Sequence, residues 1–270
     1  MAGKWTELFR PGIRLTTAGA GPRVGRLGGD PALPAAEEWP TWPGQGPLNF
    51  VAAVDCAALP REFLSIPLPA AGTLLFFYFD GDSRSVQDDS ASVEDAEGSR
   101  VLFVPAGVPV AARAAPDGVV PYPGRDLSAE VVVTAPEREH VLLDRTRTAS
   151  GASLAEAVAT VLGPGRTGTD VFGELTWEVA GEGPQHQVGG FAAPVQGAVE
   201  VEVASAVLEG SWQDPRLAEE AARWVLLGQF DSDEAAAMTW GDVGMLYWVI
   251  RTDDLEAGRF DRARCTMQCG

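Results

Sequence analysis

The chain has 270 residues, of which 46% are apolar and 21% charged, and its 38 acidic and 20 basic side chains leave a net charge of −18. Such a chain can bury a full core and is not disordered throughout. The acidic excess excludes a nucleic-acid backbone or an anionic membrane as partner, and neither a membrane-length apolar run nor a signal-peptide core is visible, so a cytoplasmic protein is expected.

In chain order, residues 1–25 read as mixed and turn-rich, with Trp5, Leu8 and Phe9 on one face of a short helix that stops before Pro11. Residues 26–46 carry Gly28-Gly29, Pro31, Pro34, Pro40 and Pro43 and read as extended and irregular, polyproline-like at Trp39-Pro40-Thr41-Trp42-Pro43. Phe50–Val54 is a strand ending at Asp55, and Leu68–Gly72 a turn. Thr73–Phe79 is apolar without alternation, the pattern of a strand buried on both faces. Asp80–Gly98 reads as a solvated acidic loop. Val101–Val104 and Val131–Val133 are strands, separated by a Pro- and Gly-rich stretch over 105–124. Ser153–Leu162 is a helix with Ser153 and Glu156 at capping-box spacing, ended by Gly163-Pro164. Residues 164–187 are looser, with Val171–Val179 extended. Val199–Val203 alternates valine with Glu200 and Glu202, which reads as a half-exposed strand. Pro215–Arg223 is a helix capped by Asp214, and Trp224–Phe230 and Met245–Ile250 are strands.

Three blocks recur in the same order. Gly28-Gly29 with Pro31 to Pro34 is echoed by Gly189-Gly190 with Pro194, Phe50–Asp55 by Leu226–Asp231, and Gly72–Tyr78 by Gly244–Ile250. Ordered similarity of this kind points to a duplicated unit.

Specific residues carry a resemblance to a known family. They are Leu27-Gly28-Gly29-x-Pro31-x-Leu33-Pro34, Trp39-Pro40, Leu48–Asp55, Leu68-Pro69-x-x-Gly72-x-Leu74-x-Phe76-Phe77-Tyr78, Leu226-Leu227-x-Gln229-Phe230-Asp231 and Trp240-Gly241-Asp242-x-Gly244-x-Leu246-Tyr247. Together they resemble the DUF1963, or YwqG-like, family of bacterial proteins over about residues 20–270, most weakly between about 105 and 185. The resemblance implies an α+β fold of two related antiparallel β-rich units with a few helices. The units lie at about 20–104 and 185–270, flank a variable middle region 105–184, and pack as one globular domain. The family has no agreed catalytic residues to carry over. Its occurrence among toxin–immunity genes implies an immunity or partner-binding role. Where many relatives have a glutamine this chain has Ala53, and Gln229 keeps that amide in the second half.

Candidate contact residues follow from residue type. Arg26 could hold an anionic group, and Gly28 and Gly29 could admit a close backbone approach or simply permit a bend. Trp39 and Trp42 could stack on a ligand or cover the core edge. Asp55 and Asp231 occupy matching strand ends, fit for acid–base work or a cation, or for capping turns. Trp240 and Asp242 could touch a ligand at a strand entrance, or lock a turn through the carboxylate beside a core indole.

Metal and cofactor chemistry lack support. Cys56, Cys265 and Cys269 make no zinc set with the distant His140 and His186. A calcium loop counted from Asp80 fails at Ser85 and Ala91, and the bare G-x-G-x-x-G at 163–168 follows a helix rather than a strand. The expectation is an acidic binding protein with no cofactor, more a non-enzyme than an enzyme, plausible as an immunity-type partner of a basic protein toxin. The alternative is an enzyme or small-ligand protein. It would place Trp240, Asp242, Gln229 and the Gly-Gly turns around a cleft between the units. The oligomeric state is left open.

Overall fold

The apolar runs fold into one long antiparallel sheet. The computed structural model describes residues 2–17, 19–81, 95–137, 139–149, 151–154, 156, 157, 160, 176, 178–209 and 212–270. The strands are β1 (Arg10–Thr16), β2 (Arg23–Leu27), β3 (Ala32–Pro34), β4 (Thr41–Trp42), β5 (Gly46–Pro47), β6 (Asn49–Asp55), β7 (Thr73–Tyr78), β8 (Ser99–Val104), β9 (Val110–Ala112), β10 (Arg125–Thr134), β11 (Gln187–Val188), β12 (Trp224–Asp231), β13 (Met245–Arg251) and β14 (Arg264–Gln268). Ten of them form the main sheet, in the order β14-β13-β12-β11-β1-β10-β2-β6-β7-β8. β3 pairs with β9 and β4 with β5 in two small ribbons. The helices are α1 (Ala2–Thr6), α2 (Val141–Arg145), α3 (Val199–Val207), α4 (Leu217–Ala221) and α5 (Thr252–Glu256).

The sheet curls until its edges β8 and β14 approach each other, with the turn Phe260–Arg262 between them and Phe103 against Phe260 at 5.2 Å. The result is a nearly closed barrel within a single domain, mostly antiparallel β with a few helices. Its interior is apolar and draws on both ends of the sheet. Phe76 of β7 meets Phe230 of β12 at 5.0 Å and Trp248 of β13 at 5.3 Å. Alternation along the strands sends Phe50, Leu75 and Phe77 to the outer face, where Leu33, Leu48 and Trp39 cover them. On the other half of the sheet, Leu226, Tyr247 and Val249 face outward beneath Val199, Val203 and Ala204 of α3. No helix among the described residues is long and apolar enough to cross a membrane.

Counted outward from its centre, the sheet runs β1, β11, β12, β13, β14 one way and β10, β2, β6, β7, β8 the other. The register repeats along the two arms. Asp55 faces Thr73 as Asp231 faces Met245, Phe76 faces Val101 as Trp248 faces Cys265, and Arg26 faces Ala53 as Gln187 faces Gln229. Both third strands shift register at the same step, between Phe50 and Ala52 in β6 and between Leu226 and Gly228 in β12. The opening strands are crossed. β1 lies against β11, and β10 lies against β2.

Several expected elements differ. The span 1–25 holds β1 and the start of β2 as well as turns. Trp5 is helical while Leu8 and Phe9 lie beyond α1, although all three pack together. Val199–Val203 is the first part of α3, not a strand. Its valines at i and i+4 form a helical stripe as readily as an alternating one, and the stripe lands on the outward apolar face of β12 and β13. The Ser153–Glu156 capping box is present, with reciprocal bonds of 2.8 and 3.2 Å. Its Gly163-Pro164 stop and the 163–168 glycines lie outside the described residues, as do 171–175 and 177 of the Val171–Val179 segment, whose Thr176, Glu178 and Val179 are helical. Of the expected acidic loop, 82–94 lies outside the described residues. The expected helix at Pro215–Arg223 is the shorter α4, although the Asp214 carboxylate does accept from the Arg216 amide at 2.8 Å.

Candidate functional site

Each arm of the sheet presents an outer face at the same register positions, and the two faces are used differently. On the β11–β14 arm the outward side chains are Gln187, Gln229, Tyr247 and Gln268, all buried. They hold the chain segment that crosses them. Gln229 donates to the Gln185 carbonyl at 2.7 Å and accepts from the Ala193 amide at 3.1 Å. Tyr247 donates to the Ala193 carbonyl at 3.0 Å and accepts from the Val195 amide at 3.1 Å. Gln268 accepts from the amides of Val195 and Gln196 and donates to the Gly197 carbonyl at 3.0 Å. Gln187 donates to the carbonyls of Gly189 and Phe191 at 2.7 and 2.9 Å. These are the bonds a buried amide or phenol needs, and backbone groups of residues 185–197 satisfy them. Beside Gln187, Phe191 and Ala193 only about 10 Å³ stays empty.

A second polar group lies at the end of β12. His186 is fully buried, accepts from the Asp231 amide through Nδ1 at 3.0 Å, and lies 3.2 Å from the Asp233 carboxylate through Nε2. The His186 hydrogen bond holds the Asp233 carboxyl below its ordinary range, against the opposing effect of burial. Burial pushes the Asp231 carboxyl up, although its oxygen accepts from the Gln185 amide at 2.8 Å. With both ring nitrogens engaged, His186 is a lock on the chain around Gln185, not a base facing solvent.

On the β2, β6, β7 and β8 arm the same register positions carry Arg26, Ala53, Leu75 and Val104. Apart from Arg26 these side chains are shorter and apolar, and a groove of about 440 Å³ lies over them, walled on its far side by the β3–β9 ribbon and by Pro105–Val108. Arg26 reaches the Asp30 carbonyl at 3.5 Å, and its Nε is buried without a hydrogen-bond partner. A larger cavity of about 1010 Å³ opens where Asn49, Phe79, Asp80 and Pro121–Pro123 meet Ala237 and Thr239. There the Tyr122 hydroxyl donates to Asp80 at 2.5 Å, and burial together with the Asp80 charge pushes its pKa well up.

The residues singled out from sequence fall into separate places. Arg26 lines the 440 Å³ groove, and Gly28 and Gly29 turn the chain beside it at φ +51° and +69°. Gly189 and Gly190 make the equivalent turn at +62° and +73°. A Cβ on Gly28 would come within 2.7 Å of the Tyr122 and Pro123 carbonyls, so only glycine fits. Trp39 donates to the Leu48 carbonyl at 2.8 Å and packs on Phe77, while Trp42 packs on Phe79 beside the larger cavity. Trp240 is core, 5.6 Å from Tyr122 and 6.0 Å from Tyr78. The turn before β13 is locked by the Ser232 hydroxyl, bonded to the Trp240 amide and the Gly244 carbonyl, and not by Asp242, which is exposed. Asp55 accepts from the Ala57 amide at 2.9 Å, a strand-end turn, and Gln229 and Asp231 belong to the polar groups of the other arm.

Tyr122 joins several of these features: its carbonyl accepts from Gly29, its ring meets Trp240, and its hydroxyl meets Asp80. Sequence reasoning missed it, together with Gln187, Tyr247 and Gln268. Nothing in the sequence marked Gln187 and Gln268, which stand in a two-residue strand and at the end of the mixed strand Arg264–Gln268. Among the described residues no group of three or more His, Cys, Asp or Glu side chains is placed to hold a metal ion.

No curated protein matches this chain. The model of a domain of unknown function, DUF1963, matches residues 25–269. That span begins inside β2 and ends just past β14, so it takes in both outer faces and the turns that frame them, and the chain belongs to the DUF1963 family.

Proposed function

We propose that this is a non-catalytic, cytoplasmic binding protein that takes a basic protein as its partner, in the manner of an immunity protein neutralising a toxin. The observation that carries the reading is the net charge of −18, which steers a cationic partner and repels anionic ones. The engagement of His186 with the Asp231 amide and the Asp233 carboxylate, and of the glutamine side chains with backbone groups, supports a non-catalytic role. We also read the two arms as diverged copies of one unit, on the strength of their repeated register, shared bulge and paired Gly-Gly turns. The copies on this reading each include an opening strand, so they begin near β1 and β10 rather than at about residues 20 and 185.

Capture from native lysate at about 0.05 M and about 0.5 M salt tests the main reading, because surface attraction is screened at the higher strength. One basic protein is recovered at low salt and lost at high salt. Recovery that ignores salt, or an acidic partner, overturns it. A second reading is favoured by the 1010 Å³ cavity, where Ala237 and Thr239 of one arm meet Asn49, Asp80 and Tyr122 of the other. Under it the protein holds a small ligand there, and native mass spectrometry of freshly purified protein finds a retained metabolite that Tyr122→Phe releases.

A further inference from the structure

The groove over Arg26 has a counterpart that reveals what fits it. At matching register, the other arm has Gln187, Gln229, Tyr247 and Gln268 where this one has Arg26, Ala53, Leu75 and Val104. Three of those four side chains grip Ala193–Gly197, so a short extended piece of the protein's own chain lies over that face. Over the first face no chain segment among the described residues is gripped in this way. The corresponding segment, Ala32–Pro34, is held by β9 instead, with the Arg113 guanidinium donating to the Pro34 carbonyl at 2.8 Å. Between that ribbon and the sheet lie the 440 Å³ of open groove.

The bond that Arg26 makes does not require its charge. Arg26 donates to the carbonyl four residues on, at Asp30, and Gln187 makes the same bond to Phe191 with a neutral amide. Among the described residues Arg26 has no ion-pair partner, and its neighbour Arg23 pairs with Asp126 at 3.0 Å. A partly desolvated guanidinium without a counter-ion is a fork for a carboxylate. The walls around it, Ala53, Leu75, Val104, Val108 and Val110, are apolar. Asp30 and Asp55 also line the groove, and they disfavour a ligand carrying more than one negative charge.

We propose that this groove binds the free C-terminus of a short, extended, apolar peptide, with its carboxylate on Arg26 and its side chains on Leu75, Val104 and Val108. The site does not depend on the acidic surface or on a basic partner. Calorimetric titration of the full-length protein tests it with acetyl-Ala-Pro-Val, the sequence of Ala193–Val195, as the free acid and as the amide, and with octanoate. The free acid binds, and the amide binds at least about 10-fold more weakly, as expected for loss of a charge-assisted bond. Arg26→Gln installs the residue that the other arm carries at this register. It keeps the wild-type melting temperature and loses about 10- to 100-fold in affinity. Ala53→Gln fills the groove and abolishes binding, which provides a second reading if Arg26→Gln folds poorly. Failure of the free acid to bind, equal binding of acid and amide, wild-type affinity in both variants, or binding of octanoate but not of the peptide overturns the proposal.

Discussion

His140 shows how burial at one side chain becomes a pH dependence. Its Nδ1 accepts from the Leu142 amide at the start of α2, and Nε2 lies 3.9 Å from Glu200. Burial lowers its pKa from the ordinary 6.5, against the pull of Glu200, and Arg10 adds to the lowering. The unfolded chain therefore takes up the proton first as pH falls, so stability is complete above the ordinary value and declines below it toward the folded value. We expect the melting temperature to drop from about pH 7.5 to about pH 5, and to drop less in His140→Asn, which keeps a side-chain acceptor for the cap. Differential scanning calorimetry at the two pH values checks this. Gln229 makes a different kind of contribution. Gln229→Leu strands the Gln185 carbonyl and the Ala193 amide, and a cost of about 1–3 kcal/mol is expected for each group left unpaired in the interior. Urea unfolding measures the loss, and Gln229→Glu, which cannot donate to Gln185, does not restore it.

At the scale of elements, α3 is joined to the sheet by its valines. Val203 is fully buried against the outer face of β12 and β13, and Val203→Ala is expected to cost about 2 kcal/mol through lost contact and a residual cavity. Val201, which is half-buried, tolerates the same change, and chemical denaturation of the two variants separates them. The strands legible in the sequence were β6, β7, β8, β12 and β13 and the end of β10, because each carries an uninterrupted apolar run. β1, β2 and β14 were missed because arginine, proline and glutamine break up their apolar content, and they become strands only by pairing with neighbours distant in the chain. Val199–Val203 was misread because valine at every second residue satisfies two periods at once, and the choice is made by the apolar face waiting beneath it. The sites were legible in part. Arg26 and the Gly-Gly turns stand out by residue type, whereas Tyr122 comes from a Pro- and Gly-rich segment whose place is set by tertiary contacts.

Across the whole molecule, the crossed opening strands tie the two arms together. β1 precedes β2 in the chain yet pairs with β11, and β10 precedes β11 yet pairs with β2. A chain ending at residue 104 therefore leaves β2 without β10 and β1 without either partner, and it is expected to stay unfolded by circular dichroism. Fragments 1–115 and 116–270, cut near the exposed Asp117-Gly118 turn and produced together, are expected to copurify and show the strand signal of the intact chain. Independent folding of either fragment counts against this account. The clasp also changes what natural variation can do to the protein. Neither half can be discarded, because each braces the other, but a half held up by its neighbour is free to lose the glutamines that grip its own covering segment. One face can stay closed while the other opens and takes on a new ligand, without the scaffold having to change.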